Sequence, residues 1–299
     1  MPEKIVVGTR GSKLALAQTE KVVKLLRERY EVEVKIIKSL GDVMKDKPLH
    51  EFKGTGAFVQ AIDVALAEGK IDVAVHSYKD VPSKIKGTVA AVIERESPCD
   101  CLISKNGESL EELKRGAVVG TSSLRRIAQL KRFRPDLKTK NLRGNVDTRL
   151  RKLKEGEYDA IILAEAGLIR LGIDVKRHKL NPEIFVPSAN QGIIAVETRK
   201  GEEDLVDFVN HEKTFLEASV ERTVLETLGI GCAVPAGIFA SLNSDSNRVK
   251  LIVHVYSKSG KDLRVEELIS RSSAVEEAKE IALNLREECK KIMKEYGKF

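Results

Sequence analysis

Tryptophan is absent from this 299-residue chain, and aromatic residues make up only 4% of it. So few rings leave little on which unpaired bases could stack, and neither helix-turn-helix nor zinc-finger spacing occurs, so no nucleic-acid partner is expected. Long apolar runs are missing too. Residues 1–7 pass directly into a strand-like pattern, which predicts neither a secretory leader nor a membrane span and makes the cytoplasm the expected compartment. Cysteine is sparse, at four residues: Cys99, Cys101, Cys232 and Cys289. In a reducing compartment these read as thiols, and the Cys99-Asp100-Cys101 triplet lacks the second pair that a zinc site needs, so no metal is expected. The hydrolase elbow, the Walker loop and the dinucleotide glycine fingerprint are absent as well.

What the chain does hold is charge. Lysine and arginine total 52 against 45 acidic residues, a formal balance of +7. Such an excess suits nucleic acid, a membrane surface or small anions, and composition alone does not choose among them. The length allows two or three compact domains, each with a core that needs no metal or disulfide staple.

Ile5-Val6-Val7 forms a short buried-strand run, residues 8–11 a turn, and Ser12 an N-cap for a helix whose apolar spacing covers 14–29. Val32, Val34 and Ile36 then alternate as a second strand, so a βαβ unit and a parallel sheet are predicted. The opening recurs: Val6-Val7-Gly8-Thr9 matches Val118-Val119-Gly120-Thr121, and an acidic residue, Asp72 or Asp159, leads a later strand in each half. Two similar lobes are predicted. Ligands of parallel α/β sheets bind beyond the carboxyl ends of strands, so Arg10 and residues 76–82, 121–126 and 164–170 are expected to face one cleft between the lobes. Residues 187–192 break the pattern before strand 193–196 and read as a crossing segment, which makes the first lobe discontinuous. A helix over 211–228, a loop over 229–235, strands over 236–242, 249–257 and 263–270, and a helix over 274–296 predict a small α+β domain.

Candidate chemistry gathers at turns. Arg125, Arg126, Arg143 and Arg149 lie beside the Gly-, Ser- and Thr-rich turns of GTSSLRR and RGNVDTRL. Helix N-termini and guanidinium forks both favour carboxylates or phosphates. A solvated helix face is the plain alternative for any one of these arginines, and clustering favours a ligand. Cys232 lies between glycines and a proline, where a sharp bend exposes a thiol, with a buried structural cysteine as the alternative. Lys79 and Asp80 fall at a strand end; Asp80 is the candidate acid or base, with an Asx-turn as its structural alternative. His76 reads as a structural histidine.

Taken in order, TRGSKLALAQ, HSYKDVP, GTSSLRR, RGNVDTRL, AGLIRLG, PSANQG and GIGCAVPAG closely resemble the motifs of the porphobilinogen deaminase (hydroxymethylbilane synthase) family. The resemblance spans nearly the whole chain. It implies an α/β fold of two periplasmic-binding-protein-like lobes with mainly parallel sheets plus a small C-terminal α+β domain. The division is 1–95 with 190–211, 96–189, and 212–299. It also implies a covalent dipyrromethane cofactor, held through a thioether to Cys232. Four porphobilinogen molecules are added head to tail, each losing ammonia, and water then releases the linear tetrapyrrole for haem-type pigment synthesis.

By the same resemblance, Asp80 is the catalytic aspartate, steadying the azafulvenium cation and removing a proton. Lys79, Thr121, Ser123, Arg125 and Arg126, with Asp80, hold the cofactor. Arg10, Ser12, Arg143, Arg149, Arg170 and Gln191 serve the substrate or growing chain. A monomer is implied. The sequence departs from the family at Thr55, where relatives carry a lysine that Lys53 would replace, and at Tyr78, Ile230 and Ala233. The strongest rival is a two-lobed solute-binding or sensing protein, which would need neither Cys232 nor a covalent adduct. A basic RNA-binding protein would instead show steep salt dependence.

Overall fold

The computed structural model describes residues 3–38, 59–231, 234–243 and 245–297. Cys232 and Ala233, and Lys53 and Thr55, lie outside the described residues. In chain order the elements open with β1 (Lys4–Thr9), α1 (Lys13–Leu26), β2 (Glu31–Ile36), α2 (Gln60–Ala67), β3 (Val73–Ser77), β4 (Thr88–Val92) and β5 (Asp100–Ser104). They continue with β6 (Val118–Gly120), α3 (Leu124–Phe133), β7 (Lys138–Lys140), α4 (Val146–Lys154), β8 (Ala160–Ala164), α5 (Glu165–Arg170), β9 (His178–Lys179) and β10 (Ile194–Thr198). The chain closes with α6 (Glu212–Leu228), β11 (Ala236–Asn243), β12 (Arg248–Val255), β13 (Leu263–Ser270) and α7 (Ala274–Glu295). It divides into two compact units, Met1–Glu96 with Gly192–Phe215, and Ser97–Gln191 with Leu216–Phe299.

In the first unit, β1, α1 and β2 form the βαβ unit that the apolar spacing predicts, with β1 and β2 parallel. Ser12 caps α1 as expected, its side chain accepting from the Ala15 amide at 3.2 Å. The helix turns Val22, Val23 and Leu26 onto the sheet, where they meet Ile5, Val7, Val73 and Val75. Each such fully buried aliphatic side chain stabilises the fold by roughly 1.5–3 kcal/mol. The sheet order is β2-β1-β3-β10-β4.

The second unit holds two sheets. One has the order β7-β6-β8-β5-β9, and the other is the antiparallel β11-β12-β13. Buried Ala274, Ala278, Ala282, Cys289 and Ile292 of α7 pack with Val249, Leu251 and Val253 of β12. Those helix positions recur at the spacing of one helical face.

The repeat read from four-residue matches is present at atomic scale. Asp72 Oδ2 accepts from the Val6 amide at 2.9 Å, and Asp159 Oδ2 accepts from the Val118 amide at 2.7 Å. Each five-stranded sheet has three parallel neighbours in the same order, and each departs from an all-parallel pattern at one strand. β10 runs antiparallel to β3 and β4, and β5 antiparallel to β8 and β9. Both are the first strands after the chain has changed unit, so no βαβ crossover of their own sheet fixes their direction.

Candidate active site

Strand β3 ends at Ser77 and gives way to a single 3-10 turn, Tyr78–Asp80. The turn is pinned to the sheet through the Tyr78 amide, which donates to the Ile193 carbonyl at 3.0 Å, and is closed by Val81 donating back to Tyr78. Asp80 is exposed at its end, Lys79 half-buried, and Tyr78 buried. The strand-end placement expected for Lys79 and Asp80 is therefore observed. Gln18 of α1 donates to Ser77 Oγ at 2.7 Å, joining the helix that follows Arg10 and Ser12 to the strand that delivers Asp80. Ser12 accepts a backbone hydrogen bond but keeps its own hydroxyl proton to donate.

His76 is buried, its Nε2 lying 3.2 Å from Glu197 Oε2. Burial pushes the Glu197 carboxyl up, with His76 pulling it down and Asp63 adding to the rise. This is a core cluster, in keeping with the structural role read for His76.

In the second unit the arginine turns are interlaced. Ser123 caps α3, accepting from the Arg126 amide, and its own amide donates to Thr121 Oγ1 at 3.2 Å. Ser122 Oγ donates to the Leu142 carbonyl at 2.9 Å and accepts from the Leu142 amide, tying the loop after β6 to the one that leads into α4. Gly144 sits at φ +108°, a region that favours glycine, and lets that second loop double back. Arg149 Nε donates to the Gly144 carbonyl at 2.7 Å. Burial, then the nearby charges of Arg126 and Arg143, push the Arg149 guanidinium down to about 10. Arg143, Arg149 and Arg170 are half-buried, Arg170 ending the short helix after β8.

Arg125 and Arg126 are only 5% and 7% exposed, and both close on Asp100, a fully buried residue of β5. Arg126 Nε and Nη2 reach Asp100 Oδ1 at 3.1 and 2.6 Å, while its Nη1 donates to the Ile162 carbonyl at 3.0 Å. Arg125 Nη1 reaches Asp100 Oδ2 at 2.8 Å, the Val186 carbonyl at 2.8 Å and Gln129 Oε1 at 3.0 Å. Gln191, read as a substrate contact, is buried, its Nε2 donating to Asp100 Oδ1 at 2.9 Å and to the Pro98 carbonyl at 2.8 Å. Burial alone would raise the Asp100 carboxyl, but the charges and hydrogen bonds of Arg125 and Arg126 outweigh it and hold the group well below the usual carboxylate range.

Asp100 and Gln129 are the residues that sequence reading missed. The triplet was read for its thiols, yet an acidic residue opening the apolar run Cys101-Leu102-Ile103 is the pattern of a buried carboxylate awaiting cations. Cys101 and Cys289 are buried thiols, pushed up to about 12 and about 11 by burial first. Neither has thiolate character at neutral pH. Among the described residues, no group of His, Cys, Asp and Glu could hold a metal ion, and no helix is long and apolar enough to cross a membrane.

Two family models match the chain. "Porphobilinogen deaminase, dipyromethane cofactor binding domain" covers residues 5–207, and "Porphobilinogen deaminase, C-terminal domain" covers 215–291. The chain belongs to the porphobilinogen deaminase family. A probable porphobilinogen deaminase of Archaeoglobus fulgidus is 66% identical over 95% of this chain and 98% of that protein. One of Methanocella arvoryzae is 50% identical over 93% of each. The porphobilinogen deaminase of Shouchella clausii is 47% identical over 81% of each. Among solved structures, a putative methionine-binding lipoprotein of Bacillus subtilis aligns at 17% identity and TM-score 0.42, over 69% of this chain and 87% of that one. The family's cofactor-binding model includes Asp80, Arg125, Arg126, Arg143 and Arg149, while Cys232 falls in the range of the C-terminal model.

Proposed function

We propose that the chain is a porphobilinogen deaminase, a transferase joining four porphobilinogen molecules head to tail with loss of ammonia. The primer is a dipyrromethane on a thioether to Cys232, and water releases the linear tetrapyrrole. The observation that carries this reading is the surplus of positive charge in the second unit. Asp100 offsets one charge between Arg125 and Arg126, and the Arg149 guanidinium is still pushed down, by burial first and then by its cationic neighbours Arg126 and Arg143. A ligand with acetate and propionate arms relieves that repulsion, so the donor set fits the cofactor.

When bound, the dipyrromethane supplies the pyrrole carbon at which the chain grows. Lys79, Thr121, Ser123, Arg125 and Arg126 hold its carboxylates, and Gln191 acts through Asp100. Arg10, Ser12, Arg143, Arg149 and Arg170 receive the acidic arms of the substrate and the lengthening chain. Asp80 accepts hydrogen bonds from pyrrole N–H groups, steadies the positive charge left on the substrate ring when ammonia departs, and takes the proton released after carbon–carbon bonding. Of the cysteines, Cys101 and Cys289 are buried and inert and Cys99 is half-buried, so the choice of Cys232 as the nucleophile rests on its match to the family motif GIGCAVPAG. Residues 1–95 with 190–211, 96–189 and 212–299 are its working divisions, and the enzyme acts as a cytoplasmic monomer.

Incubation with porphobilinogen tests the reading. Ammonia release matched one for one to substrate consumed, with a linear tetrapyrrole as product, is expected. Binding of dicarboxylates without ammonia release would favour the two-lobed solute-binding alternative instead.

A further inference from the structure

We infer that Asp100 is a positioning residue for the acidic ligand: its carboxylate fixes the guanidinium groups of Arg125 and Arg126 in the orientation in which they receive the ligand's arms. The inference rests on the reading above and extends it to a residue that lies inside the β5 strand and has no exposure of its own.

Three features carry it. The first is geometry: Oδ1 takes the fork of Arg126, Nε and Nη2 together, while Oδ2 takes Arg125 Nη1. Two hydrogen bonds from one edge of the guanidinium converge on a single oxygen, and with the Nη1 bond to the Ile162 carbonyl they fix its plane as well as its place. Gln191 then fixes the carboxylate in turn, donating to Oδ1 at 2.9 Å.

The second is stoichiometry. One carboxylate lies between two guanidinium groups, which leaves the cluster one positive charge in excess. The nearby buried carboxylate of Glu165 does not make up the difference. It is engaged by Ser97 Oγ at 2.6 Å, Arg177 Nε at 2.9 Å and Lys179 at 3.3 Å. Arg125 and Arg126 are therefore held as an oriented pair carrying net positive charge.

The third is what remains to donate. Every hydrogen bond that Arg125 makes to Asp100, Gln129 and Val186 uses Nη1, and none uses Nε or Nη2. A guanidinium carries five N–H donors, so the far side of this one remains able to meet a carboxylate.

The test compares Asp100→Asn and Asp100→Glu with the unsubstituted full-length protein, each expressed with porphobilinogen available. The readings are the fraction carrying the cofactor mass, kcat and KM of the loaded fraction, and Tm. Asp100→Asn is expected to lower the loaded fraction about tenfold or more, the scale of one lost charge-assisted hydrogen bond. Asp100→Glu keeps the charge but displaces it by one methylene, so it is expected to recover Tm while loading stays several-fold low or KM several-fold high. Should Asp100→Asn fail to fold, Asp100→Glu decides. Wild-type loading, kcat and KM in the folded variants, whatever their Tm, would overturn the inference and leave Asp100 a stabilising ion only. An unsubstituted protein with no added mass would overturn the functional reading itself, and this inference with it.

Discussion

At Arg149 the needs of folding conflict with the proposed binding role. Its guanidinium is pushed down to about 10 by burial and by Arg126 and Arg143, so the folded protein holds an unfavourable charge at every pH below that value. Arg149→Met keeps the aliphatic stem and removes the charge. It is expected to leave Tm unchanged within about 2 °C or raise it, and to lower kcat/KM about tenfold to a few hundredfold. A fall in Tm with normal turnover would mean that Arg149 serves the fold alone. Asp80 is the converse case, exposed at the end of its turn. Asp80→Asn is expected to fold normally and barely elongate the chain, and near-normal turnover would refute its role. Asp100 behaves as a depressed carboxylate. The stability it brings is complete above the ordinary carboxylate range near pH 4, and is lost progressively as pH falls from there through its lower folded value. Breaking such a buried pair is expected to cost about 3–5 kcal/mol at pH 7, read from urea unfolding of Asp100→Asn.

At the scale of elements, β11 approaches the segment before the crossing so closely that only glycine fits. A Cβ on Gly237 would stand 2.6 Å from the Val186 carbonyl oxygen, beside the hydrogen bond from the Ile238 amide to Pro187. Gly237→Ala is expected to destabilise by about 1–3 kcal/mol in urea unfolding, and an unchanged midpoint would show that the contact is slack. On β12, burial first and Arg264 next push the His254 imidazole down to about 4, against the pull of Asp262. The unfolded chain takes up a proton near pH 6.5 that the folded chain refuses, so stability should fall as pH drops from about 6.5 towards 4. His254→Gln should flatten that slope, and an identical slope would place its source elsewhere.

The elements themselves were largely legible in the sequence. Ser12 and the spacing of Val22, Val23 and Leu26 fixed α1, and alternation placed β11, β12 and β13 within a few residues. Strand direction was not legible for β5 and β10, because local pattern does not record that a strand enters its sheet from another unit. The burial of Arg125 and Arg126 escaped as well. Their partner Asp100 lies far off in sequence, and helix-start arginines look alike whether they meet solvent or a core carboxylate.

Across the whole molecule, one repeated α/β plan supplies both sets of proposed site residues. The same strand order and the same aspartate-to-strand clasp serve each half, Asp72 to Val6 and Asp159 to Val118. The loops that carry the candidate residues follow non-equivalent strands, β3 for Lys79 and Asp80 in one unit and β6 and β7 for the arginine turns in the other, while β8, the counterpart of β3, leads to Arg170. The account depends on a covalent, acidic primer on the thiol of Cys232 that these cations are arranged to hold. Intact mass and peptide mapping of the freshly purified protein test this most directly. An excess equal to two linked pyrroles, mapped to Cys232 and missing from Cys232→Ser, is the predicted result. A protein expressed with porphobilinogen plentiful that weighs only what its amino acids require would contradict it.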